Sequence, residues 1–194
     1  MNDYSKYPNV GVAGETIYKH ASRYYVNFNW LYSNFSKDYL HWDNVTHIRK
    51  APYGYKNIKA YYNMTESNYS TARIDTKIKK IIKLEDREAV IITLDRYDER
   101  LQKPVSLICG IDQELLFSDG FYTPSIILNT NKNDLGLIFN GQEYTSFRLL
   151  QVKSIESIGK QTLYSLEMTI DRPIAVNNFI VRPYKKFSQK DLLY

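Results

Sequence analysis

The sequence has little of three things that would narrow its function: cysteine, histidine and long apolar runs. Among its 194 residues there are one cysteine and three histidines. A single cysteine excludes an intrachain disulfide and a zinc site built from several cysteines. No apolar run approaches the roughly 20 residues of a membrane-spanning helix. The eight glycines are dispersed, so the sequence has no glycine-rich loop of the kind that binds phosphate.

The sequence also shows no recognisable catalytic or metal-binding set. Cys109 lies in an apolar stretch, 104–111, where a thiol is predicted to pack as a small hydrophobic side chain. His41 and His47 flank Asp43, but this spacing suits no helix or strand that would aim all three side chains at one ion. We therefore predict no catalytic residue, no metal site and no cofactor.

The charge of the chain is only mildly basic. Lysine and arginine number 26 against 21 aspartates and glutamates, which gives a net charge of +5. The excess is +3 in residues 1–70, +2 in residues 71–103 and zero in residues 104–194. Domains that bind nucleic acid usually concentrate positive charge far more strongly. The charge balance therefore favours a protein whose main partner is not nucleic acid.

Composition changes near residue 70. Residues 1–70 hold 12 of the 18 tyrosines and both tryptophans, but only 11 Ile, Leu, Val and Met residues, whereas residues 71–194 hold 37. The second region can fill a core of its own, and the first has few side chains to do so. Tyrosine can bury its ring while its hydroxyl meets water or a partner. We therefore predict an aromatic-rich interaction region over 1–70 and a β domain over 71–194.

Short apolar and β-branched runs separated by turn signals predict a mainly β fold. From residue 88 onward the predicted strands are 89–95, 104–111, 114–117, 121–129, 135–139, 143–154, 162–170 and 179–182. Asn140-Gly141 is the strongest hairpin signal, because a two-residue turn needs positive φ at both positions. The pattern predicts an antiparallel β-sandwich or barrel with an extended, Tyr-rich N-terminal region and at most short helices.

The first half of the chain is less regular. Residues 23–32 alternate in polarity and predict a strand, whereas residues 15–22 predict a short helix. Residues 70–84 fit both a strand and a helix, since their isoleucines suit either period. We favour the strand, because residues 85–87 have the composition of a turn into the next strand.

Aromatic side chains in the first region are the candidate contact residues. Tyrosine is enriched at protein interfaces and loses little side-chain entropy when fixed. The predicted contact residues are Tyr4, Tyr7, Tyr24, Tyr25, Trp30, Tyr32 and Trp42. The leading interpretation is a non-enzymatic structural or assembly protein. It would act through contacts with other protein subunits, in a homo-oligomer or a larger assembly, and would have no membrane partner.

In composition and layout over the whole chain, the sequence resembles small virion proteins of bacteriophages, such as neck, tail-completion or baseplate components. No motif carries this resemblance, so it implies no residue roles. It implies a head–tail connector, tail or baseplate component, found in the virion or in the host cytoplasm during assembly. The start of the sequence, MNDYSKYPNVG, lacks the pattern of a signal peptide, so we expect no secretion by that route.

Two alternatives remain open. The first is a β-barrel module that binds nucleic acid, because cations beside stacking rings are typical of single-strand binders. Its candidate residues are Arg73, Lys77, Lys79 and Lys83. The second is a nuclease or a carbohydrate-active enzyme, for which Asp98 and Glu99 with Lys103 would be the candidate group. Arginines interleave with these carboxylates, which favours a solvated turn.

Overall fold

The computed structural model describes residues 9–19, 25–34, 44–50, 69–75, 78–99, 101–117, 120–130, 136–140, 147–168 and 174–182. Within these ranges the chain forms 13 strands and two helices of seven residues each. None of the helices in this part of the chain is long and apolar enough to cross a membrane. Every strand pairing is antiparallel, so the predicted mainly β class with at most short helices is confirmed.

The strands and helices have the following bounds. The strands are β1 (Val12–Ala13), β2 (Ile17–Lys19), β3 (Tyr25–Asn27), β4 (Asn44–Lys50), β5 (Tyr69–Asp75), β6 (Ile78–Asp98), β7 (Lys103–Gly110), β8 (Leu115–Phe117), β9 (Gly120–Tyr122), β10 (Gly136–Asn140), β11 (Phe147–Met168), β12 (Ile174–Val176) and β13 (Phe179–Val181). The helices are α1 (Phe28–Asn34) and α2 (Pro124–Thr130).

One large sheet contains most of the strands. Its strand order is β1-β7-β6-β11-β10-β8-β13-β12-β2-β3, and β9 pairs with β8. β1 pairs with β11 as well as with β7, so the sheet curls back on itself at this end. β4 and β5 form a separate two-stranded sheet. The curl brings the start of β1 close to β7 and β11, at Cys109 and Tyr164, which follow Val12 by 97 and 152 residues.

β6 and β11 are much longer than the sequence predicts. The expected turn at 85–87 and the expected break between the predicted strands 143–154 and 162–170 are instead irregularities inside continuous strands. Asp86 and Gly159 have φ of 54° and 77°, and the register of the β6–β11 pair shifts near both. A residue with positive φ allows a bulge that bends a strand without ending it. The strand interpretation of residues 70–84 is confirmed by β5 and the start of β6, where Ile78, Ile82 and Leu84 are buried.

Two predicted strands end early because a polar side chain caps a helix. The strand expected over 23–32 stops at Asn27, whose Oδ1 accepts a hydrogen bond of 2.7 Å from the Trp30 N–H and begins α1. The strand expected over 121–129 stops in the same way at Thr123, whose Oγ1 accepts from the Ile126 N–H at 3.2 Å. Pro124 then occupies the first turn of α2, where it needs no N–H partner.

The aromatic-rich region contributes to the core of the large sheet. The expected helix over 15–22 is wrong, because residues 17–19 form β2 and pair with β3 and β12. Tyr18 is buried edge-to-face against Phe28, with ring centroids 6.1 Å apart. Tyr18, Phe28 and Leu31 belong to the same buried cluster as side chains of β6, β7 and β13. The division of the chain at residue 70 stays a prediction.

Candidate functional site

The β7–β8 connection lies between two segments of the chain that are far apart in sequence. We call residues 9–11 the incoming segment and residues 181–182 the outgoing segment. β7 pairs with β1 through Cys109 and Val12, and β8 pairs with β13 through Leu115 and Val181. The residues that join β7 to β8 must therefore lie between both segments. This junction is the candidate functional site.

Backbone and side-chain hydrogen bonds fix the incoming segment against this connection. Asn9 donates its N–H to Asp112 Oδ2 at 3.0 Å, and its carbonyl accepts from the Asp112 N–H at 2.9 Å. The Asn9 amide oxygen also accepts from the Glu88 N–H at 3.0 Å. Gly11 is held in turn, because its carbonyl accepts from the Gly110 N–H at 2.9 Å. The path of the incoming chain is thus set by several partners at once.

Gln113 joins the incoming and outgoing segments through one side chain. Its Oε1 accepts a hydrogen bond of 2.9 Å from the Gly11 N–H. Its Nε2 donates to the Arg182 carbonyl at 2.8 Å and to the Glu114 carbonyl at 3.0 Å. Only 4% of the residue is exposed, so water does not compete freely for these bonds. A carboxamide suits this position because it offers an acceptor and two donors on one planar group.

The outgoing segment has further contacts beside Gln113. The Arg182 N–H donates to the Glu114 carbonyl at 3.2 Å, and its guanidinium lies 3.2 Å from Glu114 Oε2. The same guanidinium lies 4.1 Å from the centre of the Phe121 ring. Both charged side chains are about half exposed, so we expect the ion pair to contribute less than about 1 kcal/mol. The backbone contacts and the Gln113 bond therefore hold this segment more firmly than the charges do.

A narrow cavity lies between the two segments. Its volume is about 10 Å³, which is close to the room needed for one water molecule. The lining residues with polar side chains are Gln113, Tyr164, Ser165 and Arg182, and Gly11 contributes backbone. Ser165 is 5% exposed. β1 pairs Val12 with Tyr164, and Gly11 directly precedes this pair in the chain.

Gly11 has no room for a side chain. Its φ is 101°, a conformation that residues with a Cβ rarely adopt. A Cβ at this position would lie 2.7 Å from the Tyr164 carbonyl oxygen and 3.0 Å from the Tyr164 carbonyl carbon. Gly11 therefore contributes backbone groups alone to the junction.

Cys109 lies next to β1 in the fold, but we expect its thiol to be unreactive. It pairs with Val12 and is fully buried, and this burial raises the pKa of its thiol well above the ordinary value. The nucleophilic thiolate is therefore scarce at neutral pH. We expect Cys109 in the folded protein to resist a chromogenic thiol reagent at mildly alkaline pH and to react fully once denaturant is added. Rapid reaction in the native state, measured by absorbance, would contradict this burial.

The carboxylates of the enzyme alternative lie at a hairpin end. Asp98 pairs with Lys103 where β6 meets β7, and its Oδ1 accepts from the Leu101 N–H at 3.2 Å. This is the solvated turn that the interleaved arginines favoured. Among the residues that the structure describes, no group of three or more His, Cys, Asp and Glu side chains is arranged to hold a metal ion.

The predicted contact aromatics are only partly within the described ranges. Trp30 and Tyr32 lie on α1 and are 43% and 45% exposed. Tyr25 is described by its backbone in β3. Four others lie outside the described residues, namely Tyr4, Tyr7, Tyr24 and Trp42. Their role in protein contacts stays a prediction.

The role of the candidate nucleic-acid-binding residues also stays a prediction. Lys79 forms an ion pair of 3.5 Å with Glu167. Lys83 lies 3.9 Å from Glu85 and 5.6 Å from the centre of the Tyr32 ring. Arg73 is described by its backbone in β5, and Lys77 lies outside the described residues.

Comparison with known proteins reveals a fold that the sequence does not. No protein-family model matches the sequence, and no curated protein does. Solved structures do match. A DnaB intein from Synechocystis sp. PCC 6803 is 13% identical with a TM-score of 0.58, over 91% of this chain and 99% of the intein. The Ssp DnaB mini-intein variant M86 is 14% identical with a TM-score of 0.60, over 92% and 97%. An intein from a hyperthermophile is 15% identical with a TM-score of 0.56, over 90% and 99%.

The chain has the fold of inteins. Identities this low show the fold and nothing finer, and each intein is matched over nearly its whole length. The prediction of a non-enzymatic virion component is wrong, because the structures that share the fold are inteins, which catalyse their own splicing, and not neck, tail or baseplate proteins. The composition led to a wrong prediction because tyrosine content indicates the kind of surface a protein has and does not determine how its strands connect.

Sequence reasoning missed every residue of the junction. Neither Gly11 nor Gln113 is among the predicted site residues. The available signal was a carboxamide between two strands with an apolar run directly after it. That signal is weak, because Gln113 is buried and bonded by Gly11 and Arg182, which are distant in the sequence.

Proposed function

We propose that this chain is an intein-like domain that acts in cis on its own polypeptide, at the peptide bond between Val10 and Gly11. An intein is a domain that excises itself from a longer polypeptide by breaking peptide bonds at its ends. The intein fold, complete over the matched lengths, supports the proposal. The observation that carries it is the Gln113 side chain, which holds Gly11 and Arg182 at one point.

Holding the two segments together is the costly part of such a reaction. Gly11 and Arg182 are 171 positions apart in the sequence, and in an unfolded chain they would rarely meet. Groups fixed in reacting geometry gain a large rate advantage, because the loss of translational and rotational freedom has already occurred during folding. The folded domain thus supplies proximity through strand pairing and through Gln113.

The Gly11 nitrogen is the atom whose position matters most. If the Val10–Gly11 bond breaks, this nitrogen is the leaving group and must gain a proton. Gln113 Oε1 fixes the direction of its N–H, and the neighbouring Asn9 is fixed by Asp112 and Glu88. Val10 lies between these two fixed residues in the chain, so its backbone is restricted as well.

A fusion carrying a different folded protein at each end tests the proposal. The intact fusion is incubated with and without hydroxylamine, and its mass is followed over time. We expect a product broken after Val10, formed at a rate that does not depend on protein concentration, because the reaction is intramolecular. The matched control is the same fusion with Gln113→Leu, which should react more slowly. A fusion that stays whole in all conditions, hydroxylamine included, would overturn the proposal.

A further inference from the structure

Asn9 lies two residues before Gly11 and is bound through both its backbone and its side chain. Its N–H donates to Asp112 Oδ2 at 3.0 Å, and its carbonyl accepts from the Asp112 N–H at 2.9 Å. Its side-chain oxygen accepts from the Glu88 N–H at 3.0 Å. Three hydrogen bonds of ordinary length fix both the position and the orientation of one residue. Position 9 is therefore held between β6 and the β7–β8 connection.

The backbone and side-chain contacts of Asn9 differ in what they select. Asp112 binds the N–H and the carbonyl of residue 9, and every residue type except proline offers both groups. The Glu88 N–H instead needs an acceptor oxygen on the side chain of residue 9. An aspartate would supply that oxygen, but it would add a second negative charge to a residue already bonded to the Asp112 carboxylate. The contacts together exclude proline and favour asparagine.

Gly110 sets how closely residue 9 approaches β7. A Cβ on Gly110 would lie 2.0 Å from the Asn9 carbonyl oxygen and 2.8 Å from the Val10 nitrogen. The Gly110 N–H donates to the Gly11 carbonyl at 2.9 Å. Residues 9–11 therefore lie directly on the backbone of β7. A residue at position 9 that lacked these contacts would loosen the segment that carries the Val10–Gly11 bond.

We propose that the domain selects the polypeptide on which it acts by the residue two positions before the bond, and that Asp112 and the Glu88 N–H accept asparagine there. This inference rests on the proposed function and adds to it the class of substrate, namely a polypeptide with asparagine and not proline at that position. Contacts away from the reacting bond raise a rate by fixing the groups that react. Asp112 is thus a positioning residue, because it contacts the flanking residue.

The two-ended fusion tests this selection at residue 9. Asn9→Leu keeps a side chain of similar size but removes the acceptor, and we expect the product broken after Val10 to form about three- to tenfold more slowly. Asn9→Pro removes the N–H that Asp112 accepts. Because hydrogen bonds to charged groups are stronger, this variant should react at least about tenfold more slowly.

Asn34→Leu is the matched control for Asn9→Leu. Asn34 ends α1, and its side chain donates one hydrogen bond of 2.8 Å to the Trp30 carbonyl. The control therefore makes the same change and loses one side-chain hydrogen bond away from the junction. Its fusion should react as fast as the unmodified one. Thermal unfolding of each variant verifies that it is folded.

A double-mutant cycle separates positioning by Asp112 from a general loss of stability. Asp112→Ala removes the acceptor of the Asn9 N–H, which is the same interaction that Asn9→Pro removes from the other side. The double variant should therefore react at about the rate of the slower single variant. Unrelated effects would multiply, so a double variant slowed by the product of the two single factors would overturn the role of Asp112.

Hydrogen exchange at the Glu88 amide, measured by NMR, separates this inference from the proposed function because it needs no cleavage. We expect this amide to exchange at least about fivefold faster in Asn9→Leu than in the unmodified chain. If the unmodified fusion is cleaved and Asn9→Leu is cleaved equally fast, the chain acts on its own backbone without selecting asparagine, and this inference is overturned. If no fusion is cleaved although the Glu88 amide responds, the proposed function fails and the inference fails with it.

Discussion

Replacement of Gly110 by alanine is expected to lower the free energy of unfolding by about 3 kcal/mol or more, because the added methyl group overlaps backbone that cannot move aside. A Cβ on Gly110 would lie 2.0 Å from the Asn9 carbonyl oxygen and 2.4 Å from its carbonyl carbon. The incoming segment would have to leave β7, with loss of the hydrogen bonds between Asn9 and Asp112. For a chain of this size we expect the midpoint of thermal unfolding to fall by about 6–12 °C.

Gly159→Ala is the matched control for this substitution. Gly159 has φ of 77°, so alanine there carries backbone strain of about 1 kcal/mol. No other atom lies within 4 Å of the added carbon, so no clash is added. The two variants measured side by side by calorimetry separate steric overlap at the junction from ordinary strain. Equal destabilisation of both variants would mean that Gly110 is not in close contact with the incoming chain.

Replacement of Gln113 by leucine should have the second largest effect. Leucine fills similar space but removes three hydrogen bonds and leaves the Gly11 N–H and the Arg182 carbonyl without their partner. Buried polar groups that lose their partners cost about 1–3 kcal/mol each, so we expect a loss of about 2–4 kcal/mol in the free energy of unfolding. Chemical denaturation measures this loss. A change below about 0.5 kcal/mol, which is the usual range of surface substitutions, would contradict the role of Gln113.

Gln113→Glu keeps the hydrogen-bond acceptor of the side chain, removes its donor and makes the stability of the fold depend on pH. A carboxylate can still accept from the Gly11 N–H, but it cannot donate to the Arg182 or Glu114 carbonyl. Burial and two facing carbonyl oxygens favour the protonated acid, so the folded-state pKa of this carboxyl is raised above the unfolded value. The variant should therefore be most stable at acidic pH and lose stability as pH rises through the folded pKa. Denaturation across pH, with the unmodified chain as reference, tests this.

Strands could be predicted from sequence because their signal is local. The alternation along residues 89–94 and 104–109 reflects which side chains face the core, and each residue carries that information itself. The errors came where a single polar side chain outweighed the alternation. Asn27 and Thr123 each cap a helix inside an apparently extended run, and Gly159 bends a strand that looked as if it ended.

The candidate site could not be predicted because its chemistry belongs largely to backbone groups. Gln113 binds an N–H and two carbonyls, and every residue type except proline has both groups. What makes these groups a site is that β1 and β13 approach the same connection, which depends on strand pairings between distant residues.

Hydrogen exchange at the Gly11 amide, resolved by NMR, tests most directly whether Gln113 holds the incoming and outgoing segments together. This N–H is buried and has a side-chain oxygen as its acceptor, so we expect it to exchange as slowly as amides in the centre of β6. In Gln113→Leu the same amide should exchange much faster while β6 stays protected. A Gly11 amide that exchanges in the unmodified protein at the rate of an unprotected peptide would contradict the junction and the function proposed for it.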